Sequence, residues 1–294
     1  MGYNFFTYKA NMPEGFTPAI FSIPHFVFLG ITFVVFPLVF FLIKKFVKRD
    51  NVDLFLKIFS IIVVVLEIAD ITWESYYQIN SPKGFDFAGE LPLYTCSLFI
   101  YALLAHAWGK GRVKEYSLSF LTTVSLVCGA IGVVYCNGIN NYPMWSLGAF
   151  YSLYFHCAMF EIGMFLLISG YKRLEWMDTF KSWVPILILA IFATPVNYQY
   201  GAQGADYMQT YSAAGVPLFS NFAELLASYN LRYLFTVFYM LIYLPMALAV
   251  IAVAKLIYLI NGKIKKKPKG SKNQEVDEGA EQQSEQLAEV ERNV

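Results

Sequence analysis

Stretches of nearly unbroken apolar residues alternate with short polar connections along this chain. They fall at 19–43, 54–77, 91–108, 117–136, 147–169, 182–198 and 231–260. Each is long enough to cross a hydrocarbon core of roughly 30 Å as a helix. Helix is required, because backbone groups in lipid must find partners within their own segment. The pattern therefore predicts an all-α fold, a polytopic bundle of seven transmembrane helices.

The polar connections carry the orientation. Lys44, Lys45, Lys48 and Arg49 follow the first stretch. Lys110, Arg112 and Lys114 follow the third, and Lys172, Arg173 and Lys181 the fifth. Lys263, Lys265, Lys266, Lys267 and Lys269 follow the seventh. The alternate connections hold Lys83 and no other Lys or Arg. Basic loops stay in the cytoplasm, so the N-terminus is predicted outside and the C-terminus inside. Residues 1–18 lack a basic region followed by a short apolar core and cleavage site. They are read as an extracellular segment, 19–261 as the membrane domain and 262–294 as a charged cytoplasmic tail. The lysines from Lys263 to Lys269 would meet anionic inner-leaflet lipids.

Composition agrees with this picture. Hydrophobic residues make up 57% and charged residues 15%, against about 25% charged in soluble domains. The reading is a multi-pass protein of the cell membrane whose partners are membrane lipids. A net charge of +1 points to no nucleic-acid partner. Cys96, Cys128, Cys136 and Cys157 lack metal-type CxxC spacing. They read as buried thiols, with a Cys96–Cys136 bridge as the alternative. No metal or cofactor is implied.

Polar residues inside the spans are the informative exceptions, since a charge at mid-bilayer costs roughly 2.5–3.5 kcal/mol on insertion scales. Glu67, Asp70 and Glu74 share one helical face. Either they pair with Arg232 or helix-end amides, or they form a cation, proton or acid/base site. His25 and Asn197 lie near outer helix ends, and His156 lies near the middle of the fifth stretch. His106 reads as an interface residue. The stretch Leu91-Pro92-Leu93-Tyr94-Thr95-Cys96 reads as the mouth of the third helix, with Pro92 in its first turn and two hydroxyls and a thiol behind it. With Asp70, Glu74, Arg232 and Cys96, these residues point to a polar cavity open to the outer side. Cys96 or Thr95 as nucleophile and His156 as base would form a reactive pair.

Three stretches together resemble a known family. They are Phe21-Ser22-Ile23-Pro24-His25, Leu91-Pro92-Leu93-Tyr94-Thr95-Cys96-Ser97-Leu98, and Pro195-Val196-Asn197-Tyr198 followed by Gly204-Ala205-Asp206-Tyr207-Met208 and Pro217. With His156, they resemble the YwaF-type bacterial seven-helix membrane proteins and a related eukaryotic transmembrane acyltransferase branch. The resemblance covers about 19–260. It implies thiol-dependent acyl transfer on phospholipids, and His25, Cys96, His156, Asn197 and Tyr207 are the matching residues. The chain departs from the bacterial pattern at Tyr94, where His is usual, and at Asp206, where Asn is usual.

The sequence thus points to an acyltransferase or lipid hydrolase, with Asn197 or His25 steadying the developing oxyanion. Two rivals stand beside it. One is a non-enzymatic binder or transporter of a small solute or ion that uses Asp70, Glu74 and Arg232. The other is a structural envelope protein.

Overall fold

The structure, a computed structural model, describes residues 4–12, 20–82, 84–135, 142–143, 145–213 and 217–265. Cys136, Lys83 and most of the charged tail lie outside these residues. The described residues are helical, with no strand among them.

Helix α1 (Ile23–Phe46) starts at Ser22, whose hydroxyl accepts from the His25 amide at 3.4 Å, with Pro24 in the first turn. Its middle, Ile31–Val35, winds as a wider π turn. Pro37 follows directly and has no N–H to return to the preceding turn. Helix α2 (Arg49–Ile79) runs 31 residues without a break.

Helix α3 (Leu98–Trp108) is only 11 residues long, about 16 Å. The sequence placed a helix start at Pro92, but residues 91–97 form turns. Helix α4 (Gly111–Val134) breaks at Thr122 and Thr123. Their hydroxyls donate back to Leu118 O at 2.8 Å and Ser119 O at 2.6 Å, a local competition with the helical ladder.

Helix α5 (Leu147–Ile168) is capped by Ser146. Helix α6 (Asp178–Tyr200) contains Pro185 and Pro195. Helices α7 (Pro217–Ser228) and α8 (Arg232–Lys265) complete the order. Residues 199–230, expected as one long connection, thus contain a helix of their own.

Five of the described helices are long and apolar enough to cross a membrane: α1, α4, α5, α6 and the Arg232–Ile260 part of α8. Helix α2 has the length but carries Lys57, Glu67, Asp70 and Glu74. The chain divides into two compact units, Met1–Ala252 and Val253–Val294. The second is helical as far as Lys265.

The core of the first unit gathers Phe99 and Leu103 from α3, Phe120 and Val124 from α4, Met159 from α5, and Tyr243 from α8, all buried. Helices α4 and α5 approach closely, and glycine makes the contact. A Cβ on Gly129 would sit 2.5 Å from Phe160 N, and one on Gly132 1.9 Å from the His156 ring. Small residues let helices approach closely in lipid, where packing rather than hydrophobicity drives association.

Outside the apolar region, ion pairs tie the helix ends. Asp178 is fully buried. It pairs with Lys172 at 2.7 Å and accepts from Ser119 at 2.6 Å. Burial pushes the Asp53 carboxyl up, but the hydrogen bonds from Lys114 and Tyr171 outweigh that and hold it below the usual range. His106, expected at the membrane interface, is 1% exposed within the protein. It meets Lys114 O and the Tyr171 hydroxyl.

Gly132→Ala should therefore destabilise the fold by about 1–3 kcal/mol, the usual cost of overpacking. Gly30→Ala, with nothing within 4 Å of the added Cβ, should leave the melting temperature unchanged or slightly raised. Thermal unfolding of both variants in detergent checks the contrast.

Candidate functional site

The turns at 91–97 hold the first cluster. The chain bends back at Leu91, whose carbonyl accepts from Leu93 N at 2.8 Å, and helix begins only when Leu98 N reaches Tyr94 O at 3.2 Å. Thr95 Oγ1 shares a 2.6 Å hydrogen bond with Tyr243 OH on α8. Cys96 is a half-buried free thiol. It is an electrostatic neighbour of Cys128 on α4, Tyr151 on α5 and Tyr243. No described hydrogen bond reaches its Sγ, and none engages the backbone amides of Thr95, Cys96 and Ser97. These are the unpartnered N–H groups that every helix start leaves, at the positive end of its dipole.

A second group of motif residues clamps this turn from outside. Asn197, 1% exposed, uses its whole side-chain amide. Nδ2 donates to Tyr207 O at 2.8 Å and Thr210 Oγ1 at 2.9 Å, and Oδ1 accepts from Tyr207 N at 2.7 Å. Tyr207 OH then accepts from Leu91 N at 3.1 Å, and its ring lies 4.7 Å from that of Tyr94. Asp206 shapes the loop by accepting from Tyr211 N, Ser212 N and the Ser212 hydroxyl. An Asn there would lose the second carboxylate oxygen, which takes the serine. Gly204 turns the chain at φ +108°, a conformation glycine adopts without strain. Asn197 is thus committed to the loop and is not an oxyanion donor.

The histidines part company. His25 is fully buried. Its Nδ1 accepts from Phe21 N at 2.9 Å and its Nε2 meets Val133 O at 2.8 Å. Both ring nitrogens are used, so His25 pins α1 to the end of α4 and leaves the oxyanion role too. His156 Nδ1 meets Ser152 O at 2.8 Å. A carbonyl only accepts, so that nitrogen carries the proton and Nε2 is the basic one. The ring edge lies against Gly132. No hydrogen bond joins His156 to Cys96 or Thr95.

The acidic stripe of α2 meets different partners from those expected. Glu67 accepts from the Tyr151 hydroxyl. Glu74 pairs with Lys9 at 3.6 Å, not with Arg232. The Arg232 guanidinium lies 4.0 Å above the Tyr211 ring, a cation–π contact. Glu90 joins the stripe through Gln78 and lies within hydrogen-bond reach of Glu74. Burial, and then the Glu74 charge, push its carboxyl up to about 7. No described group of three or more His, Cys, Asp or Glu residues could hold a metal ion.

His25, Asn197, Glu67 and Glu74 therefore have separate partners. Two grooves among the described residues are apolar, and neither is lined by Cys96, His156, Asp70 or Asn197. The larger, about 900 Å³, runs between α1 and α5. Its wall contains Glu161, 8% exposed, with both carboxyl oxygens buried and unpartnered. The sequence reading passed over this residue. Its signal was there, because Glu161 is the only acidic residue in the 147–169 stretch.

Residues 20–257 match the model of the TMEM164 family. No curated protein matches the chain, and no solved structure matches it.

Two outcomes follow from the geometry. Asn197→Ala removes three hydrogen bonds worth roughly 1 kcal/mol each. It should expose 201–213 to limited proteolysis at least ten-fold faster than in the wild type. Glu90 binds its proton more tightly folded than unfolded, where a glutamate titrates near ~4.3. Its contribution to stability is thus full below that value and is lost as pH rises through about 7. The melting temperature should fall from pH 5 to pH 7.5, and fall less in Glu90→Gln.

Proposed function

The chain belongs to the TMEM164 family, a transmembrane family, and on that premise we propose that it acts on membrane lipid acyl chains, with Cys96 as nucleophile. What carries the reading is the 91–97 turn. An uncommitted thiol sits there beside three uncommitted backbone amides, on irregular backbone at the start of a membrane helix. Such backbone is tolerated at membrane depth only where protein or a cavity shelters it. Thr95, already paired with Tyr243, is the weaker nucleophile and is better suited to fixing the turn.

Acyl transfer uses these groups in a definite order. The Cys96 proton passes to His156 Nε2, and the thiolate attacks the acyl ester carbonyl. The amides of Thr95, Cys96 and Ser97 hold the developing oxyanion. The leaving alkoxide takes the proton from His156, and Cys96 retains the acyl group as a thioester. An acceptor hydroxyl, of a lysolipid or of water, then gives its proton to His156 and attacks the thioester, restoring the thiol. Catalytic pairs that are apart at rest often close only on binding substrate.

The same proposal includes the membrane arrangement. Helix α2, about 46 Å long, is long enough to cross. Helices α1 and α5 run parallel, as the ring pairs Phe33–Phe160 and Phe40–Phe165 require. An odd number of crossings must separate them. If α2 crosses, so does α3 with its 91–97 lead-in, which gives seven. The basic connections then face the cytoplasm of a cell-membrane protein, and Lys263–Lys269 would meet anionic lipid.

A second reading, binding of a cation or proton, rests on one observation. Glu67, Asp70, Glu74 and Glu90 act on one another with Lys9 as the cation among them.

The deciding experiment incubates purified protein with phospholipid carrying a radiolabelled acyl chain and traps hydroxylamine-labile label. Cys96→Ala should abolish it, and His156→Gln should slow it by about 100-fold, the usual worth of a general base. Cys157→Ala should leave it intact. Label retained in Cys96→Ala sinks the proposal.

A further inference from the structure

We propose that the groove between α1 and α5 binds a single-chain lipid amine, its ammonium paired with the Glu161 carboxylate. This site is separate from the Cys96 turn.

The first observation is the carboxyl itself. An unpartnered buried polar group costs free energy that a native fold seldom leaves unanswered. Glu161 lines the groove and leaves both of its buried oxygens unanswered. Among the lining residues no cation faces it, and Cys157, one turn away, is already hydrogen-bonded to Thr32 at 3.4 Å. None of the described residues supplies the missing partner.

The second observation is shape. The lining runs from Ile23 and Trp145 at one end to Ile43 and Phe165 at the other, roughly 30 Å of helix. A volume of about 900 Å³ is in the upper range of small-molecule sites. Glu161 lies seven residues before Ile168, roughly 10 Å from that helix end, and fourteen after Leu147, roughly 21 Å from the other. A lipid whose headgroup reaches inward to Glu161 has about 20 Å of apolar wall left for one chain. The π turn of α1, a feature frequent at functional sites, lies opposite, with Thr32 facing Cys157.

Charge selects the headgroup. An ammonium carries three N–H donors and can answer both oxygens while cancelling the carboxylate charge. An alcohol would answer one oxygen, and phosphate or carboxylate headgroups would be repelled. A free long-chain base satisfies all three constraints.

The test uses full-length protein in phosphatidylcholine nanodiscs. Three 16-carbon probes carry a diazirine in the chain and end in an amine, an alcohol or a carboxylic acid. The amine should label α1 and α5 peptides saturably, at least ten-fold over the other two. Glu161→Gln should bring it down to the alcohol level. Glu161→Leu removes the unpaired carboxyl altogether and decides the matter should Glu161→Gln misfold. Cys96→Ala should bind like the wild type, so failure of the acyl-transfer reading leaves this result standing. Equal labelling by amine and alcohol, or amine labelling unchanged in both variants, overturns the proposal and leaves an ordinary lipid-facing surface.

Discussion

The close approach of α4 and α5 at Gly129 and Gly132 is the constraint on which the rest depends. Two glycines let two backbones meet where any side chain would part them. In lipid this is how helices hold together, since surrounding chains compete equally for apolar faces. The contact fixes the rotation of α5 about its axis, and with it the direction of every polar group it carries. Tyr151 then points to Glu67 on α2, His156 to Gly132 on α4, and Cys157 to Thr32 on α1. Glu161 is left facing the groove.

Accounting for polar partners separates structure from site. Most candidates that look reactive as isolated residues are spent. His25 uses both ring nitrogens, Asn197 its whole amide, and Asp206 both oxygens. Their role is mechanical. His25 pins α1 to the end of α4, while Asn197 and Asp206 shape the 201–213 loop that lies against Leu91 and Tyr94. Among the described residues few groups are left unspent, and they include the Cys96 thiol with its neighbouring amides and the Glu161 carboxyl. Buried polar groups are rarely abandoned in this way.

The helical architecture was legible because apolar runs of 18 residues or more have few other solutions in a membrane. The start of α5 at Leu147 could also be read from the chain. The third span could not. Pro92 looked like a helix opener, but the amide of Leu91 is claimed by Tyr207, a residue 116 positions away. The partner of Glu74 was misread for the same reason. Lys9 lies in the N-terminal segment, and only tertiary packing brings it to α2. The residues expected in one polar cavity have separate hydrogen-bond partners in the described structure, because sharing a leaflet is a weaker condition than sharing a neighbour.

Glu161 teaches the opposite lesson. Its position was plain in the sequence, but a lone carboxyl in an apolar run has two meanings that sequence cannot distinguish. Either it pairs with a cation on another helix, or it faces an opening. In α5 the distinction is made by α1. That helix touches α5 through Thr32, Phe33 and Phe40, yet supplies no cation, because its basic residues all lie at or beyond Lys44. A Lys one turn earlier in α1 would have closed the groove electrostatically. Its absence makes the α1–α5 seam a surface with an unmet charge requirement, and the Cys96 turn shares none of its lining. The two unspent features are therefore chemically independent, and a ligand at one need not pass the other.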